Sequence, residues 1–147
     1  MLKSKKGFTL VEILIVVVIL GILAAIVIPQ FTNASESAKA SSLVSQLQTI
    51  RSQLELYQVQ HNGNYPDIVT NWNQMIQTTD VAGATTGTDY GPYLQQAPKN
   101  AFTNSNNAVA AAPGTTADGW IYSSTTGNIS AVGFNEDTLV YTPPAAP

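Results

Sequence analysis

The sequence predicts an α+β chain in which one long N-terminal helix, transmembrane and then amphipathic, packs on a small antiparallel sheet head. Three observations lead there. Across residues 8–28 only Thr9 and Glu12 interrupt a run of Phe8, Val, Ile, Leu, Ala and one Gly. Beyond it, Leu43, Leu47, Ile50, Leu54 and Tyr57 alternate at spacings of four and three, which draws one apolar stripe along a helix. Near the end, residues 120–122, 129–132 and 139–141 are short strand-like runs. The chain therefore divides into a leader at 1–7, a transmembrane helix at 8–28, an amphipathic helix at 29–61 and a globular α+β head at 62–147.

At about 1.5 Å per residue the apolar run is roughly 30 Å long, enough to cross the hydrocarbon core of a bilayer. Lys3, Lys5 and Lys6 precede it, and positive charge beside a span stays cytoplasmic, so everything beyond residue 28 belongs on the far side. A secretory signal peptide shares these features but needs small residues after its core. Here Pro29-Gln30-Phe31-Thr32-Asn33 follows, and the small residue stands in front, at Gly7. Cutting there removes the lysines and leaves the apolar segment on the product. A carboxylate such as Glu12 is costly in a membrane, by about 2.5–3.5 kcal/mol at the centre of a span and less near its end. It asks for a partner. A new amine at Phe8 would supply one, since an α-amino group is mostly cationic at neutral pH. That pairing is possible within one chain, four residues apart on a helix, or between neighbours. A Glu resting at headgroup level beside the lysines is the simpler alternative.

Lys6-Gly7-Phe8-Thr9-Leu10-Val11-Glu12, followed by the apolar run and Pro29, resembles the class III signal of type IV pilins and type II secretion pseudopilins. The resemblance implies a prepilin peptidase that cleaves between Gly7 and Phe8 and N-methylates Phe8. It also implies that Glu12 neutralises the amine of an adjacent subunit during filament assembly, and that Pro29 marks a bend or melted turn. A pilin-like fold is the corresponding expectation.

Pro29 has no N–H for the Ala25 carbonyl and its ring crowds the preceding turn, at about 3 kcal/mol. Asn33 with Glu36 resembles a capping arrangement that would restart the helix if it parts there. We expect a single bent helix in the isolated subunit and a local break in the filament. The amphipathic helix ends at Asn62-Gly63-Asn64-Tyr65-Pro66, where Gly63 suits a left-handed cap and Pro66 discourages continuation. Trp72, Met75 and Ile76 fall at helical spacing and suggest a short surface helix. Gly91-Pro92-Tyr93-Leu94 before Ala97-Pro98 resembles a segment of the major pseudopilin family that precedes a loop into the sheet. Residues 100–118 are rich in Asn, Ala, Thr, Ser and Gly and read as an irregular connection. Gly127-Asn128 lies in a turn between the first two strands, and 139–141 offers the third strand of an antiparallel sheet laid on the Leu43–Tyr57 stripe.

The 147 residues include no Cys, which removes disulfides and thiol chemistry. Many type IV pilins close a C-terminal loop with a disulfide, so the absence tilts the resemblance towards a pseudopilin or a pilin of the disulfide-free kind. Loss of residues 1–7 would leave three basic against nine acidic side chains, a balance that does not suggest nucleic-acid binding. Nothing favours an enzyme. The sole His61 ends the amphipathic helix, where a solvent-facing or capping role is expected rather than that of a general base. The serines lie in polar, turn-like surroundings. No cofactor is expected. The major pseudopilin family carries calcium in its C-terminal loops, and oxygen ligands suit that ion. Here Glu136-Asp137 and Asp118 depart from the family's pattern, and a solvated acidic loop is the reading preferred. Trp120 and Tyr122 are expected in the core rather than at a recognition surface.

The leading expectation is a non-enzymatic structural subunit: the major pseudopilin of a type II secretion system, assembled at the inner membrane to drive protein export. Its partners would be copies of itself, the prepilin peptidase, an inner-membrane assembly platform, minor pseudopilins and the membrane. Its head would be periplasmic and its N-terminus cytoplasmic. A type IV pilin for adhesion, motility or uptake is the second reading, with an extracellular pilus as its destination. A membrane-anchored periplasmic binding domain is the third.

Overall fold

The computed structural model describes residues 7–112 and 114–145. Of the expected leader only Gly7 is among them; Lys3, Lys5 and Lys6 lie outside the described residues. The chain divides into two compact units, Met1–Ser37 and Ala38–Pro147. The helix α1, Leu10–Gln60, runs through both and is 51 residues long.

In the first unit every described residue is exposed. Residues 13–28 of this helix are apolar on every side and leave no face suited to water, and by length and composition the helix can cross a membrane. The helix continues through Pro29 without interruption. Proline removes one donor, and a turn later the Thr32 hydroxyl donates to the Ile28 carbonyl at 3.3 Å.

In the second unit α1 buries Ala40, Leu43, Leu47, Ile50, Leu54 and Tyr57, so the predicted stripe faces the core and reaches one turn further back. On another side of the helix the hydroxyls of Ser45, Thr49 and Ser52 fold back onto the carbonyls of Ser41, Ser45 and Gln48 at 3.0–3.1 Å. These contacts satisfy the hydroxyls within the helix itself. The helix closes where Gly63, at φ 86°, donates its N–H to the Gln58 carbonyl at 2.9 Å. This is the left-handed cap that glycine permits without a Cβ penalty. A four-residue helix α2, Asn73–Ile76, follows, with Trp72 and Met75 buried and Ile76 half-buried. Tyr93 and Leu94 then donate their N–H groups to the Met75 carbonyl at 2.9 and 2.8 Å. The Tyr93 hydroxyl reaches Gln60 Oε1 at 2.6 Å, which ties this segment to the end of α1.

The sheet departs from expectation. Strands β2, Trp120–Tyr122, and β3, Ile129–Ala131, pair antiparallel around the predicted turn, with Trp120 opposite Ala131 and Tyr122 opposite Ile129. The third member is not 139–141 but β1, Ala108–Val109, which lies parallel to β2 inside the stretch read as irregular. The sheet is thus mixed, in the order β1-β2-β3. Side chains organise this parallel entry. Asn107 Nδ2 donates to Asp118 Oδ1 at 2.6 Å, Ser105 Oγ donates to the Ala117 carbonyl at 2.7 Å, and the Gly119 and Trp120 N–H groups meet the Asn107 carbonyl at 2.8 and 3.0 Å. A turn at Gly133, φ 71°, then carries the chain out of the sheet. A separate hairpin forms from β4, Phe134–Asn135, and β5, Val140–Tyr141.

The core lies between α1 and the sheet and is anchored by Trp120 and Tyr122, both almost fully buried. Each also places its polar end on a carbonyl: Trp120 Nε1 donates to Pro98 and the Tyr122 hydroxyl to Pro66, both at 3.0 Å. Large aromatic area with a satisfied polar tip explains why these two residues belong inside and not on a recognition surface.

Candidate functional site

The start of α1 holds the residues singled out for processing and assembly. Gly7, Phe8 and Thr9 precede the helix, and Phe8 is 80 % exposed. Glu12 does not stand alone. Its Oε2 accepts from the backbone N–H and the hydroxyl of Thr9, both at 2.8 Å, while the Glu12 N–H donates back to Thr9 Oγ1 at 3.2 Å. This is a capping box: Thr9 is the cap and Glu12 the third helical residue, and each satisfies a donor that the helix leaves unpaired. The carboxylate that asked for a partner finds one in its own chain. Thr9 was missed as a functional residue, although Thr-x-x-Glu ahead of an apolar run was legible as a sequence pattern. Pro29 lies inside α1, far from this group in sequence.

In the head, His61 faces the interior rather than solvent, with only 1 % of its surface exposed. Its ring stacks on Tyr57 at 3.6 Å between centroids and nearly parallel. Nδ1 lies 2.8 Å from the Tyr57 carbonyl, which can only accept, so Nδ1–H donates to it; Nε2 lies 2.9 Å from Thr79 Oγ1. The capping half of the expectation holds, and the solvent-facing half is overturned because the 79–90 segment closes over the helix end. Burial, with Tyr93 and Asp80 nearby, pushes the Tyr57 hydroxyl up to about 12.

The acidic residues weighed for calcium have other partners. Glu136 is not part of a merely solvated loop: Arg51 Nη1 and Nη2 grip its two oxygens at 2.8 and 2.6 Å, and Nη2 also donates to the Ile129 carbonyl at 2.8 Å. Hydrogen bonding to Glu136 outweighs burial and holds Arg51 above its ordinary pKa. Burial works against ionisation of Asp118, but the Thr115 N–H, the Asn107 amide and the Thr115 hydroxyl together hold its carboxyl below the usual range. Among the described residues no three His, Asp or Glu side chains gather closely enough for a metal. Glu136 and Asp118 are thus both engaged by hydrogen bonds within the head. Arg51 was read only as a polar spacer on α1. No local signal singles it out, because its partner lies 85 residues away.

Residues 2–28 match the family described as the prokaryotic N-terminal methylation motif, and residues 30–136 match type II secretion system (T2SS), protein G. The chain is similar to type II secretion system core protein G of Aeromonas hydrophila, 28 % identical over 69 % of this chain and 71 % of that one. It is 41 % identical to the core protein G of Dickeya chrysanthemi over 44 % of this chain, a match that spans only 41 % of that relative. A fimbrial protein of Pseudomonas aeruginosa is 43 % identical over 37 % of this chain and 35 % of its own length. No solved structure gives a significant match. With one match covering the methylation motif at the start of the membrane helix and the other covering almost all of the head, the chain belongs to the type II secretion system protein G family.

Proposed function

We propose that this chain is the major pseudopilin of a type II secretion system, a structural subunit of a helical filament built at the inner membrane to drive protein export. The observation that carries the reading is a carboxylate, Glu12, placed at the start of an exposed apolar helix and, among the described residues, hydrogen-bonded to Thr9 one turn before it. Prepilin peptidase cuts between Gly7 and Phe8 and N-methylates Phe8. The cut turns the amide nitrogen of Phe8 into a cationic amine, and Glu12 exchanges its Thr9 contacts for the amine of a neighbour. Pro29 is where α1 opens in the filament. The N-terminus is cytoplasmic and the head periplasmic, and the assembly platform and minor pseudopilins receive the subunit. The energy comes from outside the chain.

The protein G match over residues 30–136 favours this reading over a type IV pilin, since the similarity to the fimbrial protein is confined to 54 residues. Mass spectrometry of the native protein tests it: loss of residues 1–7 and one methyl group on Phe8 are expected, and an intact leader refutes the scheme. Gly7→Ala should retain the leader. Glu12→Ala should be cut normally yet assemble poorly, whereas a membrane-anchored binding domain would be indifferent to the change.

A further inference from the structure

The sequence holds one Asn–Gly pair, Asn62-Gly63, and one Asp–Gly pair, Asp118-Gly119. Such pairs are prone to cyclise, because a glycine amide has no side chain beside it to shield it from the side-chain carbonyl carbon of the residue before. Both glycines are required by the fold. Gly63 holds φ 86° at the close of α1, and a Cβ on Gly119 would collide with the Ser105 carbonyl oxygen. In each pair the amide that would attack is already engaged. The Gly63 N–H donates to the Gln58 carbonyl at 2.9 Å, and the Gly119 N–H donates to the Asn107 carbonyl at 2.8 Å.

The two pairs are held at different depths. Asn62, Gly63 and Asn64 are exposed, and Asn62 is itself left-handed at φ 55°. Asn64 ties the turn, donating both its N–H and its Nδ2 to the His61 carbonyl at 3.0 Å. Hydrogen bonds at a helix end in contact with water are among those that open at least cost. Asp118, Gly119 and Trp120 are all buried, and the Asn107 carbonyl that holds the Gly119 N–H also holds that of Trp120. Freeing the Gly119 amide therefore means unseating the largest side chain of the core. Against its burial, hydrogen bonds from Thr115 and Asn107 hold the Asp118 carboxyl below its usual range, and the ionised form resists attack by an amide.

We propose that Asn62-Gly63 is a site of spontaneous modification in the folded head, where opening of the α1 cap lets Asn62 convert to aspartate and isoaspartate, and that the fold withholds the Asp118-Gly119 pair from the same chemistry. The freed Gly63 nitrogen bonds to Asn62 Cγ and gives up its proton, the Cγ–Nδ2 bond breaks, and ammonia leaves. Water then opens the five-membered ring at either carbonyl. Both products set a carboxylate at the C-terminal end of α1, where the helix dipole disfavours negative charge, and isoaspartate also lengthens the backbone inside the cap. Conversion thus weakens the closure next to which His61 is buried. This chemistry belongs to the head and does not depend on whether the chain assembles.

The detergent-solubilised full-length chain is incubated near neutral pH in heavy-oxygen water, folded and in guanidinium chloride, and peptide mapping locates the label that ring opening leaves behind. Both pairs should take up label when unfolded. Folding should slow Asn62 roughly ten- to a hundredfold, the range of a local opening, and should slow Asp118 far more. Asn64→Ala should speed labelling of Asn62 several-fold in the folded chain and leave its rate in guanidinium unchanged, with a thermal melt confirming that the head is folded. Folded Asn62 that takes up no label, that labels as fast as in guanidinium, or that is indifferent to Asn64→Ala overturns the proposal. So does an Asp118 that folding slows no more than Asn62.

Discussion

Removal of the Arg51–Glu136 clasp tests how the C-terminal hairpin is held on the helix. Three hydrogen bonds radiate from one guanidinium, two to Glu136 and one to the Ile129 carbonyl, and they join α1 to both β3 and the hairpin. Shielded hydrogen bonds to charged groups contribute about 1.5–3 kcal/mol, and freely exposed ion pairs about 0.2–1 kcal/mol. The side chains here are 40 % and 31 % exposed, so solvent screens the pair and its coupling lies at about 1 kcal/mol. Glu136→Ala should therefore cost about 1 kcal/mol. Arg51→Ala also releases the Ile129 carbonyl and should cost about 2 kcal/mol. The double variant should cost no more than Arg51→Ala, since Glu136 loses nothing further once its partner is gone. For a head of this size each kcal/mol lowers the melting temperature by about 4 °C. Urea unfolding of the detergent-solubilised chain and its variants closes the cycle, and the coupling should shrink in 1 M NaCl. Additive single-variant losses, with coupling below about 0.3 kcal/mol, would show that the Arg51–Glu136 pair contributes nothing to holding the hairpin and would refute the reasoning.

Leu47 is fully buried in the middle of the α1 stripe, and Leu47→Ala should cost about 3 kcal/mol by emptying space that the sheet cannot collapse into, read as a lower urea midpoint at unchanged slope. Asp118 gives the head an acid limb. Its folded pKa lies below the ordinary value of 3.8, so its contribution is complete well above that pH, declines as pH falls below it, and is gone below the folded value. Asp118→Asn should lower stability at pH 7 and flatten the loss as pH falls below the ordinary carboxylate range, and an unchanged acid limb would mean that its hydrogen bonds do not favour the charged form.

What the sequence determined by itself is local. A run of lipid-soluble residues needs no tertiary context to be recognised, because its length and apolarity alone match a bilayer. The Leu43–Tyr57 stripe was equally legible, since a period of 3.6 fixes which side chains share a face. Gly63 and Gly127 announced their turns through the conformations that glycine alone takes freely. The Thr9–Glu12 capping box belongs to the same class, three residues apart and open to pattern reading.

Tertiary structure decided the rest, where partners distant along the chain compete. β1 is two residues long and carries little apolar signal of its own; it forms because Asn107 and Asp118 bind each other across the connection that separates them. Residues 139–141 have strand character, yet the reversal at Gly133 presents β4 to them before they can reach the sheet. His61 looks like a surface residue until the segment carrying Thr79 closes over it. Arg51 finds Glu136 only once helix, sheet and hairpin are stacked. Hydropathy and periodicity report what each segment requires of its surroundings, whereas the identity of the group that meets the requirement is settled by which surfaces pack together.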